Sequence, residues 1–158
     1  LSLWRISAGH AWTSVAVVIG RDTEGITVDT VFDYVLGYTV VNDVTNVDRN
    51  TVDEKNFEGK GGHGYTPIGP WIETELDPND ATVQTRLNGD VRQHASTTDM
   101  VFGVATLIEY ITSFMTLLPG DAILTGTPEG VGSLSPGDVV EVEVDGVGTL
   151  SNPVEAGS

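Results

Sequence analysis

The sequence predicts a mainly β domain of the α+β class, a sandwich or roll that carries one long helix and one short one. Three observations predict it. Short apolar stretches recur along the chain with turn residues between them. Two strong tight-turn pairs, Asn88-Gly89 and Asp145-Gly146, join stretches with strand alternation. Helical periodicity is sustained in one place only, through Val101, Val104, Ile108, Ile111, Met115 and Leu118. At 158 residues and 39% hydrophobic content, the chain is sized for one domain, 1–158, with a real core. No internal repeat or domain boundary is visible.

The elements follow in order. "VAVVIG", residues 15–20, reads as a buried strand, and "RDTEG" as the turn of a hairpin into "ITV". Asp29 and Thr30 precede apolar residues at helical spacing that stop at Gly37, which predicts a short capped helix. "YTVVNDV" is a second buried strand. Residues 46–64 are polar and glycine-bearing and read as one long loop. The two prolines of "YTPIGPWIETE" predict an extended edge segment, because proline cannot donate to a central ladder. "DPND" is a turn, and "ATVQTRLNGDVRQHAST" is a hairpin about Asn88-Gly89. The long helix is expected to start at a Thr97 or Thr98 cap and to end at Pro119-Gly120. "DAILTG", "DVVEVEVDG" and "VGTLSNPV" are the last strands.

Composition narrows the function. Asp and Glu number 23 against 7 Lys and Arg, a formal charge of −16. Such a surface repels phosphate backbones and anionic lipid, so no nucleic-acid partner is expected. The sequence shows no apolar run of spanning length and no leader pattern, which predicts a cytoplasmic chain without a membrane partner. With no cysteine, disulfides, thiolate metal sites and a cysteine nucleophile are excluded, and any metal must take oxygen or imidazole ligands. The acidity also fits adaptation to high salt, where screening suppresses self-repulsion; a halophilic source is the expectation.

Several polar residues sit where strands are expected to end. Asp43 places a carboxylate directly after "YTVVN". Lys60 lies in "GKGGHG", where flanking glycines let backbone approach a ligand. "LTGTPEGVG" sets Thr125 and Thr127 around Gly126; by spacing alone this is first a turn with unusual backbone angles, and second an anion cradle. His10, His63 and His94 lie far apart in sequence, so no zinc centre is expected.

Taken in order, "GYTVVNDVT", "GK", "YTPIGPWI", "LNGDVRQHASTTDMVF", "LIEYIT", "LLPGDAILTGTPEGVG" and "PGDVVEVEVDGVGTLSNPV" resemble the C-terminal catalytic region of the fumarylacetoacetate hydrolase family, over residues 15–154. The resemblance implies a β-rich roll that dimerises with a second copy of itself. It implies Mg²⁺, or Mn²⁺ or Ca²⁺, held on three carboxylates, which binds a 1,3-dicarbonyl or 2-oxo acid and polarises its keto oxygen. It implies hydrolysis, decarboxylation or isomerisation of acids of the acylpyruvate, oxaloacetate or hydroxyheptadienedioate type, as in aromatic catabolism. Residue by residue, Asp43 matches one metal ligand, Lys60 a lysine that neutralises developing negative charge, and Thr127, beside Gly126, a threonine that binds substrate carboxylate. Asn50 stands where the family has a substrate-orienting glutamine.

Other positions depart from the pattern. Where the family places its two remaining ligands, in Asp-x-Glu-x-Glu-Leu, this chain has "HAWTSV", with Trp12 and Ser14 at the glutamate positions. Val47 stands where the family has a substrate-binding arginine, and the resemblance places the family's histidine–glutamate base in a segment upstream of the position of Leu1, which this chain is expected to lack. The resemblance therefore leaves two readings, an enzyme on dicarbonyl acids or an inactive relative or half-protein kept for dimerisation or small-acid binding.

Overall fold

The structure is a computed structural model and describes residues 6–7, 9–11, 13–50 and 57–156. The described chain runs β1 (Ile6–Ser7), β2 (His10–Ala11), β3 (Thr13–Ile19), a 3₁₀ turn (Val31–Tyr34), β4 (Val35–Asn42), α1 (Val47–Asn50) and α2 (Phe57–Lys60). It continues through β5 (Ile68–Glu73), β6 (Thr82–Leu87), β7 (Asp90–Ser96), a second 3₁₀ turn (Thr97–Asp99) and α3 (Val104–Thr112). It ends with β8 (Ala122–Leu124), β9 (Gly132–Ser133), β10 (Val139–Val144) and β11 (Gly148–Glu155). One sheet has the order β1-β11-β10-β6-β7, a second β5-β4-β3-β8, and β2 pairs with β9. The mainly β architecture expected from the sequence is what forms.

The two large sheets share one core. Val15, Val17 and Ile19 of β3 with Tyr38 and Val40 of β4 pack in one cluster with Val83, Val140, Val142 and Val144 of the other sheet. The alternation of β10 explains its orientation: Val140, Val142 and Val144 are fully buried, while outward Glu141 and Glu143 take Arg86 between them at 3.5 and 2.8 Å. These carboxylates hold the Arg86 guanidinium above its usual pKa. β3 is buried along its whole length, which is why it reads as an unbroken apolar run rather than an alternating one. Burial pushes the Tyr38 phenol up to about 12, and nearby Asp77 acts in the same direction.

Four local expectations change. After Gly20 no tight hairpin forms; β3 pairs with β4 instead, across a connection that contains the 3₁₀ turn. That turn stops at Tyr34, and Gly37 lies inside β4, where a Cβ would stand 2.5 Å from Glu73 O of β5. Gly37 is thus a close-approach residue of the sheet and not a helix terminator. Within residues 46–64 the described parts form α1 and α2 rather than loop alone: Asn46 Oδ1 caps α1 by accepting from Arg49 N at 3.2 Å, and Asn46 N donates to Gly59 O at 2.8 Å. The long helix is also shorter than its periodicity. Its N-cap is Gly103, which makes no side-chain cap bond, and not Thr97 or Thr98; those two lie in the preceding 3₁₀ turn, which Ser96 caps in a capping box with Asp99. At the other end Thr112 Oγ1 donates to Ile108 O (2.9 Å) and Ser113 Oγ to Tyr110 O (2.6 Å). Such side-chain bonds offer the backbone an alternative to helix, and α3 ends there, ahead of Pro119. Val101, Phe114, Met115 and Leu118 are left exposed.

Candidate functional site

The second sheet places three chain segments at one edge. β3 is antiparallel to β4 on one side and to β8 on the other, so β4 and β8 run parallel and their C-terminal ends emerge together beside the start of β3. Asp43 follows the end of β4, and Thr125, Gly126 and Thr127 follow the end of β8. Between them lie Thr13, paired with Asn42, and Ser14, paired with Val41. β4 and β8 are two strand spacings apart, roughly 10 Å.

On the β4 side, backbone bonds fold the following segment back over the strand. Asn42 N donates to Pro67 O at 3.1 Å and Val44 N to Tyr65 O at 2.7 Å, while Asn46 Nδ2 donates to the Tyr65 hydroxyl at 3.2 Å. This path carries α2 over the strand end and brings Lys60 Nζ into an ion pair with Asp43 Oδ2. Both side chains are partly buried, at 37% and 19% exposure, so the pair is screened less than a surface one.

On the β8 side lies a cavity of about 320 Å³ whose lining includes Ser14, Thr97, Met100, Gly126, Thr127 and Pro128. Thr125 Oγ1 donates to Val15 O at 2.9 Å and ties the loop to β3. Behind the loop, Gln93 of β7 is 2% exposed. Its Nε2 donates to Thr127 Oγ1 (3.0 Å), Pro128 O (2.8 Å) and Glu129 O (3.3 Å). Its Oε1 faces Thr13 Oγ1 (2.7 Å) and Thr85 Oγ1 (2.9 Å), both buried. Gly126 and Gly130 have φ of +100° and +97°, the unusual angles that the glycine spacing predicts.

The sequence-predicted residues therefore fall into two pairs. Asp43 and Lys60 meet each other, Gly126 and Thr127 line the cavity, and both pairs occupy the same sheet edge. Asn50 ends α1 but its side chain lies outside the described ones, as does the whole of Trp12. Ser14, read as a lost ligand position, lines the cavity at 2% exposure. His10 Nε2 lies 2.8 Å from Ser133 Oγ, His94 Nδ1 lies 3.2 Å from Gln84 Oε1, and His63 is exposed; none joins the two pairs. Sequence reasoning missed the Gln93 network. The available signal was polar residues, Thr85 and Gln93, at inward positions of strands whose other inward residues are apolar.

The donors among the described residues do not make up the three-carboxylate site for a divalent metal that the resemblance implies. Among the described residues no group of three His, Asp or Glu side chains converges, and the one matching carboxylate, Asp43, is neutralised by Lys60. A hard cation bound tightly needs several charged oxygens.

The model of the fumarylacetoacetate (FAA) hydrolase C-terminal domain matches residues 11–155. A Mycobacterium tuberculosis protein is 45% identical over 148 residues, covering 92% of this chain and 56% of its own length. The 4-hydroxyphenylacetate degradation bifunctional isomerase/decarboxylase of Salmonella dublin is 42% identical over 149 residues, 92% of this chain and 35% of that protein. The crystal structure of 5-carboxymethyl-2-hydroxymuconate delta-isomerase from Mycobacterium smegmatis superposes with a TM-score of 0.92 at 43% identity, over 94% of this chain and 59% of that one. This chain thus spans between 35% and 59% of the length of these relatives. The match across nearly the whole chain, at this identity and on this fold, places the protein in the fumarylacetoacetate hydrolase family.

Proposed function

We propose that the cavity beneath residues 125–128 binds the carboxylate end of a small dicarbonyl or 2-oxo acid, and that the chain cleaves, decarboxylates or isomerises it. The observation that carries this reading is the presence at one sheet edge of a largely apolar cavity that the Thr127 hydroxyl lines and of a partly buried ammonium. Thr127 supplies a hydroxyl to the bound carboxylate, and Gly126, with no Cβ, leaves its backbone open to close approach. In all three reactions an electron pair moves onto the keto oxygen as an enolate forms. Lys60 places a positive charge at this edge that stabilises it, and Asp43 holds the ammonium there. The relatives' names, isomerase/decarboxylase and delta-isomerase, support reactions of this class on acids from aromatic breakdown. Exposed Val101, Phe102, Phe114 and Met115 support a homodimer, to be checked by the mass in solution.

The test is loss of the enol absorbance of acetylpyruvate, with and without added Mg²⁺. Turnover that falls at least tenfold in both Lys60→Met and Thr127→Val, and is abolished in Asp43→Ala, supports the enzyme reading. Trp12 and Ser14 at the family's ligand positions favour a second reading, binding without catalysis: oxalate bound in calorimetry with no turnover of any such acid. Neither turnover nor oxalate binding would refute both. Mg²⁺ or Mn²⁺ bound tightly and stoichiometrically would require ligands beyond the described residues.

A further inference from the structure

We infer that Gln93 is a positioning residue that sets the direction of the Thr127 hydroxyl, making it a hydrogen-bond donor into the cavity. The inference rests on the proposed role of Thr127 at the substrate carboxylate. Its starting point is the orientation of a buried amide. The carbonyls of Pro128 and Glu129 can only accept, so the nitrogen of Gln93 must face them, at 2.8 and 3.3 Å. The oxygen then faces the hydroxyls of Thr13 and Thr85, which stand 2.6 Å from each other, and it accepts a proton from this hydroxyl pair. No flipped arrangement serves both sides.

The nitrogen carries two hydrogens, and its two nearest acceptors are Pro128 O at 2.8 Å and Thr127 Oγ1 at 3.0 Å. Thr127 Oγ1 therefore accepts from Gln93. Its own proton has no acceptor among the described residues and is left for the cavity that Thr127 lines. A carboxylate is acceptor-only, and it meets a donor already turned toward it. The other threonine of the loop is wired the opposite way. Thr125 Oγ1 donates its proton to Val15 O at 2.9 Å and keeps only lone pairs, which repel an anion. Two threonines flanking one glycine are thereby distinguished: one fastens the loop and the other meets the ligand.

The test uses the side-chain amide resonances of Gln93 in the 158-residue chain, together with calorimetric binding of oxalate as the probe. Removing the acceptor in Thr127→Val should move one Gln93 amide proton upfield, and Thr127→Ser should leave both in place. Oxalate should bind about tenfold more weakly to Thr127→Val, the worth of one charge-assisted hydrogen bond. Gln93→Met should weaken it comparably, and the double variant no further than either single one, because both remove the same bond. Unchanged Gln93 amide shifts in Thr127→Val would overturn the inference. So would wild-type oxalate affinity in Gln93→Met beside a loss in Thr127→Val. Wild-type affinity in Thr127→Val would instead sink the carboxylate reading, with the amide shifts still deciding whether Gln93 holds that hydroxyl. Should Gln93→Met fail to fold, the Thr127→Val spectrum decides alone.

Discussion

Replacing Gly130 by alanine should loosen the loop that carries Thr127, and the structure allows the cost to be divided. Gly130 has φ +97°, so any side chain there incurs backbone strain of about 2 kcal/mol. The added Cβ would also stand 2.2 Å from Arg92 O and 3.1 Å from Gln93 Cγ. The first contact is more than an ångström short of van der Waals separation, and its partner is backbone in mid-strand. The loop must yield, and in yielding it pulls Pro128 and Glu129 off the buried Gln93 amide. An amide left unsatisfied costs about 1–3 kcal/mol more, for a total of about 4 kcal/mol. Gly126→Ala is the internal control. Its φ is +100°, yet nothing lies within 4 Å of its Cβ, so strain alone, about 2 kcal/mol, should appear. Urea denaturation of both variants at constant m reads the difference as a shift in midpoint. Equal losses in the two would refute the close packing of the loop on β7, and with it the anchoring by Gln93.

Other expectations follow from single features. Tyr38 has a folded pKa of about 12 against an ordinary value of 10.0, so the folded chain keeps a proton that the unfolded chain releases. Stability should be complete below pH 10 and fall by about 2 kcal/mol as pH rises to 12, and Tyr38→Phe should flatten that fall in denaturation at pH 9.5 and 11.5. Asn88 has φ 54°, accepts from Val139 N at 2.9 Å and donates to Asp138 Oδ1 at 2.8 Å, which with Ser135 N–H holds the Asp138 carboxyl below its ordinary pKa. Asn88→Ala should cost about 2 kcal/mol in thermal unfolding, and Asn88→Gly less, because glycine relieves the strain but not the lost bonds. With a net charge of −16, the melting temperature should climb steeply with added KCl; a flat response would remove the halophilic explanation of the composition.

The strands were legible because their signals are local. Asn88-Gly89 and Asp145-Gly146 stand at the two hairpins they predict, and the valines of β10 alternate as its burial does. The helices were read less well, because apolar spacing cannot reveal competing side-chain bonds. Leu118 continues the period of α3, but Thr112 and Ser113 have already taken its carbonyls. Gly37 was misread for a related reason: the closeness of β5, which demands a glycine, is a tertiary fact. At the site, Asp43 and Lys60 came from resemblance, and only the fold shows that they pair. Gln93 was invisible because its importance lies in what it reaches, a loop 34–36 residues onward.

The position of β5 limits how copies of this chain can join. It is the outer strand of its sheet, with Trp71 and Ile72 more than 40% exposed, an inviting apolar edge for another strand. Pro70 lies within it and offers no N–H. The opposite edge is β8, only three residues long. A sheet bounded in this way resists lengthening by a second copy, and strand-to-strand polymerisation is disfavoured at both of its edges.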